Sequence, residues 1–347
     1  MKQIKSICLL LVMAMLPLTI QAEEEQKGES LNISEIVLEH LSDSYEWHIA
    51  TYEGKHIGFP LPIIIRSSQT GEWHFCTKNS LPSGFFFNPE AHGKIYEQMA
   101  DGTSERPLDL SITRNVLQIW IVVAVLLVVF LSCARWYKKR DKTSNAPGGF
   151  VGAVEMLVMM INDDVIKASI GEKHYKPYAP YLLTVFFFIL VTNLLGLLPI
   201  FPGGSNVTGN INITFFLAFC TFLAINLFGN KEYWKDIFWP NVPIFLKAIP
   251  LMPVIELFGV FTKPFALMIR LFANMMAGHA MILSFSCVIF LGWTLGVGMG
   301  IGLNLFSLMM LLFMNALELL VAFVQAYVFT MLSAVFIGLA HQEHHED

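Results

Sequence analysis

Residues 255–291 and 301–340 are two apolar runs, each close to twice the length that one bilayer crossing requires as helix, about 20 residues. A turn bearing Gly292, Gly296, Gly298 and Gly300 separates them. Two arrangements suit such runs: four short spans, or two long helices lying steeply tilted in the membrane. Apart from Pro264, no turn signal divides either run, which favours a tilted hairpin. A long tilted pair has a purpose when something large slides along it. Composition points the same way, because 55% hydrophobic against 14% charged residues is too apolar for an ordinary soluble chain of 347 residues. The net charge of −5 is mild, and the basic residues lie in short loops, so nucleic acid is not an expected partner.

The first 22 residues have the layout of a cleavable secretory signal: Lys2 and Lys5, an apolar core ending near Ile20, then Ala22 before three glutamates. An uncleaved first membrane helix is the competing reading. Either way residues 23–112 are expected to be exported from the cytoplasm. Short β-like runs there, YEWHIATY, GFPLPIIIRS and GEWHFCT, predict a small β-rich domain. Its histidines, His40, His48, His56, His74 and His92, fall in no tight pattern with cysteines or carboxylates and read as surface residues. Cys76 is its one cysteine beyond the signal, so no disulfide can form within it.

Residues 113–347 form the expected membrane domain. A span over 115–134 is followed at once by Arg135, Lys138, Lys139, Arg140 and Lys142, which puts that end in the cytoplasm. Residues 149–170 are apolar but interrupted by Glu155, Asp163, Asp164 and Lys167, which predicts an interfacial helix. Spans follow at 181–200 and 213–229. The loop 201–212 is uncharged, whereas Lys231, Lys235 and Lys247 follow the second span, so the charge asymmetry alternates and leaves the C-terminus cytoplasmic. The fold class is thus an all-α polytopic membrane protein, its transmembrane helices including a long two-helix hairpin, preceded by a small exported β-rich domain.

Inside the hairpin, charge is rare enough to be informative. From Leu271 to Ala340 the only acidic or basic residue is Glu318, and the only histidine is His279, with Arg270 just before. A mid-helix arginine costs about 2.5–3.5 kcal/mol on insertion scales, so such residues line a polar path or meet a partner. At 100° per residue, Ala266, Ala273, Asn274, Ala277, Met281 and Ser284 share the Arg270 face, and small side chains let another helix approach closely. On the last helix Glu318 and Gln325 form one polar stripe with Asn315 and Ala322. Folding the hairpin at its glycine turn brings His279 level with Glu318, where the two can form a titratable pair, and Arg270 level with Gln325, which can hold it. Arginine holds its proton at physiological pH and acts as a fixed charge, whereas histidine and a partly buried glutamate can pass protons on. A buried pair that merely ties the hairpin is the structural alternative.

FTKPFALMIRLFANMMAGH, followed some forty residues later by ELLVAFVQAYVFTMLSAVFI, resembles subunit a of the F-type ATP synthase membrane sector. The likeness continues more loosely through TNLLGLLPI and NINITFFLAF and leaves out the exported segment. It implies that Arg270 is the stator arginine facing the rotating c-ring, with Asn274, Gln325 and Glu256 at the other motif positions. One departure stands out: familiar bacterial members carry glutamate in the penultimate helix and histidine in the last, whereas His279 and Glu318 stand here in exchanged places. The resemblance further implies two offset half-channels, one passing Asn193, Asn274, His279, Glu318 and Gln325, the other near Glu256. Its implied partners are the c-ring subunits, the peripheral stalk b subunits, the rest of the complex and the lipid bilayer.

No cofactor or metal is expected, and PGGF and PGGS lack the lysine and spacing of a phosphate-cradling loop, so no nucleotide site is expected either. Protons and sodium ions both fit this chain, because selectivity resides largely in the ring carboxylate of another chain. A secondary transporter or anion-binding channel using Arg270 is the rival reading, although the sequence has no convincing internal repeat. A plain membrane anchor would leave Arg270, His279 and Glu318 unexplained. The tail HQEHHED reads as solvated.

Overall fold

The computed structural model describes residues 42–52, 55–88, 91, 93–99, 101–139, 147–198, 203–238, 251–294 and 297–341. The signal, the loop lysine Lys247 and the tail beyond His341 lie outside them. The described chain falls into two compact units. One holds the N-terminal region to Val122, residues 194–207 and residues 276–319; the other holds 123–193, 208–275 and the C-terminal part from Leu320.

In the first unit eight short strands build the N-terminal region. They are β1 (Glu46–Tyr52), β2 (Lys55–Pro60), β3 (Ile63–Arg66), β4 (Trp73–Cys76), β5 (Phe85–Asn88), β6 (Lys94–Gln98), β7 (Ser104–Glu105) and β8 (Leu108–Asp109). The first two pair antiparallel, and two three-stranded sheets run β4-β3-β8 and β5-β6-β7. The period-2 pattern of β3 buries Ile63 and Ile65 while Arg66 points to solvent. With Tyr45 and Ile95 these isoleucines form a small core, packed by Cys76, Leu81, Phe85 and Phe87. The β-rich expectation therefore holds, and β5 to β8 extend it past the three runs readable as strands.

Helix α1 (Arg114–Lys138) starts directly from this region without a linker. The Arg114 amide donates to the Ser44 carbonyl at 2.9 Å and the Asn115 amide to Asp43 Oδ1 at 3.2 Å. Asp43 thus caps a helix that begins some seventy residues later in sequence, satisfying an amide that the helix itself leaves free.

Next come α2 (Gly149–Met159), a π-helical stretch Met160–Lys167 and the short α3 (Ala168–Ile170), all in the second unit. Asp163 and Asp164 are exposed while Ile161, Val165 and Ile166 are buried, the amphipathic split of the expected interfacial helix. Helices α4 (Ala179–Gly196) and α5 (Ile211–Phe228) are apolar all round, and α6 (Lys231–Phe238) follows. The two long runs are single helices, α7 (Leu251–Thr294) and α8 (Val297–Leu339), so the hairpin reading prevails over four short spans. Pro264 sits inside α7 without ending it. A helix of 44 residues is about 66 Å long, roughly twice the hydrocarbon thickness, so it cannot stand upright within one bilayer crossing.

At the tip, a Cβ on Gly292 would lie 1.9 Å from Asn304 Oδ1, and one on Gly300 2.3 Å from the Gly292 carbonyl. The two helices approach here at backbone distance, which only glycine allows. Among the described residues five helices are long and apolar enough to cross a membrane: α1, α4, α5, α7 and α8. Of the apolar window of α4, 50% is buried inside the chain, but of that of α7 only 11%. Most of α7 is left for lipid or for other chains.

In the second unit the C-terminal end is anchored. Tyr178 Oη and His341 Nε2 are 2.9 Å apart, and the Asn230 amide donates to the Ala340 carbonyl at 3.0 Å. His341, expected to belong to a solvated tail, is therefore held by the fold; the rest of HQEHHED lies outside the described residues.

Candidate functional site: a charged exposed face and a buried titratable pair

Along α7, Ala266, Arg270, Ala273, Asn274, Ala277 and Met281 are all exposed, and Ser284 is half-buried. The stripe that helical periodicity assigns to Arg270 is the one the chain leaves uncovered. Residues turned further round the same helix, Met268, Leu271 and Met275, are buried, and so is Leu267, about 60° from Arg270. Among the described residues Arg270 makes no hydrogen bond or ion pair. The expected hold by Gln325 is not made, because Gln325 is buried while the guanidinium lies on the exposed face. A permanent charge with no partner on a face of alanines is primed for something outside the chain.

His279 and Glu318 meet, as their depth in the hairpin predicts. His279 Nδ1 lies 2.5 Å from Glu318 Oε1, and the glutamate side chain is 4% exposed. Both ring nitrogens and both carboxylate oxygens are buried without a hydrogen-bond partner in the chain. Such groups are costly unless a proton or a transient partner serves them. The contact brings together an imidazole and a carboxylate, two side-chain types able to carry a proton.

Two glycines that sequence reading missed make room for this pair. A Cβ on Gly278 would lie 2.9 Å from Glu318 Oε1 and 3.0 Å from its Cδ, so the carboxylate packs on bare backbone. A Cβ on Gly196, at the end of α4, would lie 3.5 Å from His279 Nε2 and 3.2 Å from the Ser205 carbonyl. Isolated glycines in helical patterns are the signal that could have pointed to them.

In the second unit, Asn193 on α4 is buried, donates to the Ala322 carbonyl of α8 at 3.3 Å, and accepts from Thr208 Oγ1 at 2.7 Å. Thr208 was not foreseen as its partner. Gln325 is one turn beyond Ala322 on the buried side of α8. Glu256, in the first turns of α7, is exposed. Burial, with the Glu256 charge nearby, raises the Tyr233 hydroxyl above its ordinary range. No cluster of three or more potential metal ligands exists among the described residues.

Five apolar helices, two of them a long hairpin carrying one unpartnered arginine and one buried histidine–glutamate pair, define a polytopic membrane protein built to handle ions. Residues 116–338 match the ATP synthase A chain family, and residues 36–110 match a domain family of unknown function. ATP synthase subunit a of Chlorobium phaeobacteroides is 45% identical over 246 residues, 68% of this chain and 67% of that one. ATP synthase subunit a 2 of Prosthecochloris aestuarii is 46% identical over 244 residues, covering 68% and 71%. ATP synthase subunit a of Chloroherpeton thalassium is 44% identical over 246 residues, covering 69% and 70%. The chain belongs to the ATP synthase subunit a family, and so to the membrane part of an F-type ATP synthase.

Proposed function

We propose that this chain is the stator and ion path of its complex, with Arg270 as the charge that every ring carboxylate must pass. The observation that carries the proposal is the exposed Arg270 on a small-residue face of α7. A ring helix can approach that face closely, and a carboxylate brought there is held ionised by a guanidinium that cannot give up its proton. The same fixed charge repels a proton trying to cross directly, so two half-channels stay separate.

One half-channel opens on the exported side and passes Asn193, Asn274, His279, Glu318 and Gln325; the other leads to the cytoplasm near Glu256. His279 and Glu318 act together as the titratable relay of the first. Their exchanged positions support this role, since one acid and one imidazole are kept in contact while each helix has traded its group. In this reading residues 1–22 are a removed signal, 23–112 an exported domain and 113–347 the membrane domain in a bacterial inner membrane, the C-terminus cytoplasmic. The c-ring and the peripheral stalk b subunits are its neighbours. Family membership does not favour the transporter or anion-channel alternative.

The test is ATP-driven acidification of inverted vesicles carrying the intact complex, wild type against Arg270→Ala, with passive proton leak recorded in the same membranes. Pumping lost from an assembled complex supports the role; normal pumping removes it.

A further inference from the structure

The first turns of α1 carry a buried polar cluster that the ion path proposed above does not include. Asn115 and Gln118 are 5% and 0% exposed, although Gln118 belongs to an apolar spanning helix. Both are engaged by Ser205, itself fully buried: its amide donates to Gln118 Oε1 at 3.0 Å, and its hydroxyl donates to Asn115 Oδ1. Gln118 Nε2 is buried with no partner in the chain. An unserved amide inside a membrane helix costs several kcal/mol, on the order of what apolar transfer of such a group requires, so a leucine would be the stabilising choice for a purely structural position.

The cluster is continuous with the titratable pair. Ser205 carries its carbonyl to the Gly196 Cα, and a Cβ there would touch that carbonyl and His279 Nε2 alike, at 3.2 and 3.5 Å. Gly203 presses on the Leu195 and Leu198 carbonyls, and the Gly204 amide donates to the Leu195 carbonyl at 3.2 Å, which holds the loop to the end of α4. Polar groups therefore follow one another from the first turn of α1, through Ser205 and past Gly196, to His279 and Glu318. On the other side the cluster is tied to the N-terminal β-rich region, through Asp43 Oδ1 on the Asn115 amide and the Ser44 carbonyl on the Arg114 amide.

We infer that Asn115, Gln118 and Ser205 form the exported mouth of the path to the His279–Glu318 pair, and that the N-terminal region holds this mouth in place through Asp43. The inference rests on the half-channel reading and its orientation. Gln118 supplies a free donor and Ser205 an oxygen along the way, so hydrated protons reach His279 without crossing an apolar collar. Asp43 is a positioning residue: it touches no ion and fixes the helix end from which Asn115 and Gln118 project. The domain of unknown function then has a task, setting access to the path from outside.

The test uses the intact complex in membrane vesicles of both orientations, with the native cysteines replaced and Gln118→Cys introduced. A membrane-impermeant cationic methanethiosulfonate is applied from the exported face, labelling is read by mass, and proton conduction is compared with the same variant unlabelled. Labelling from that face alone, with conduction cut at least fivefold, is expected; Ser205→Cys gives the same answer if Gln118→Cys does not assemble. Absent labelling, or labelling with unchanged conduction, overturns the inference. Asp43→Ala is expected to change the labelling rate of Gln118→Cys, and Asp43→Asn, which keeps the accepting oxygen, to restore it; equal rates in all three remove the positioning role. Arg270→Ala in the same membranes separates the two readings. If it pumps normally the half-channel reading itself fails, whereas if it is inactive and Gln118→Cys is silent, the mouth alone is misassigned.

Discussion

Two charged places on the same hairpin are built in opposite ways. Arg270 is exposed, unpartnered and surrounded by alanines, whereas Glu318 is buried against His279 and lies on the bare backbone of Gly278. Under the roles proposed above, the difference follows from what each charge would meet. A charge that serves a moving partner has to stay on the surface with space in front of it, and any internal ion pair would compete with that partner. A group that exchanges protons with one fixed neighbour gains from burial, because a low dielectric strengthens the coupling and keeps bulk water from short-circuiting it.

The largest expected effect separates the two designs. Glu318→Gln removes the titratable acid and should lower ATP-driven proton pumping by at least about tenfold, the rate equivalent of about 1.4 kcal/mol. The double exchange His279→Glu with Glu318→His should recover a substantial part of the rate, since it restores one acid facing one imidazole. No recovery, measured as vesicle acidification at equal complex content, would show that local packing outweighs pair chemistry.

Next in size is a bulky residue on the open face. Ala277→Leu fills space in front of a side chain that is exposed in this chain, so the subunit itself should fold and insert normally. Co-purification of ring subunits and pumping should both fall severalfold, and unchanged values of both would mean that no helix docks on this face.

Smaller still are the glycine contacts. Gly278→Ala places a methyl 2.9 Å from Glu318 Oε1 and should slow pumping more than Gly196→Ala, whose nearest contact is the Ser205 carbonyl at 3.2 Å. Reversal of that order in matched vesicles would place the tight end of the relay at His279 instead of Glu318.

The smallest effect concerns the β-rich region and sharpens the contrast from outside the membrane. Burial, then the hydrogen bond to Asp109, raises the Tyr45 hydroxyl above its ordinary value of 10.0. A raised folded value means that the native state holds this proton more tightly than the unfolded chain. The contribution is therefore complete below pH 10 and is lost as pH climbs toward the folded value. Alkaline titration followed by the fluorescence of the neighbouring, buried Trp47 should show a transition above pH 10 that is flatter in Tyr45→Phe, and identical profiles would assign the alkaline transition to another group.

Much of this was legible in residue order, for physical reasons that can be named. Hydrocarbon requires backbones that satisfy themselves internally, so long apolar runs predict the helical hairpin, and the rarity of charge there marks its one arginine as a residue that meets a polar partner. Helical period alone separates Arg270, Ala273, Asn274 and Ala277 from Met268, Leu271 and Met275, and those exposures follow the division, whereas Leu267, only about 60° from Arg270, is buried by its packing. Counting from the glycine turn likewise brings His279 beside Glu318.

The same counting fails for Arg270 and Gln325, because equal depth does not mean facing sides, and rotation about each helix axis is settled by packing. Contacts between distant segments were equally hidden: Asp43 capping α1, Ser205 joining Asn115 to Gln118, and Thr208 bonded to Asn193. Sequence by itself determined which segments enter the membrane, which residues carry charge there and which face of a helix they share, since these depend on transfer energies and a fixed 3.6-residue period. Only the tertiary structure decided which buried polar groups meet and which glycines make room for them, because those depend on how closely and at what rotation the helices pack, which no single segment encodes.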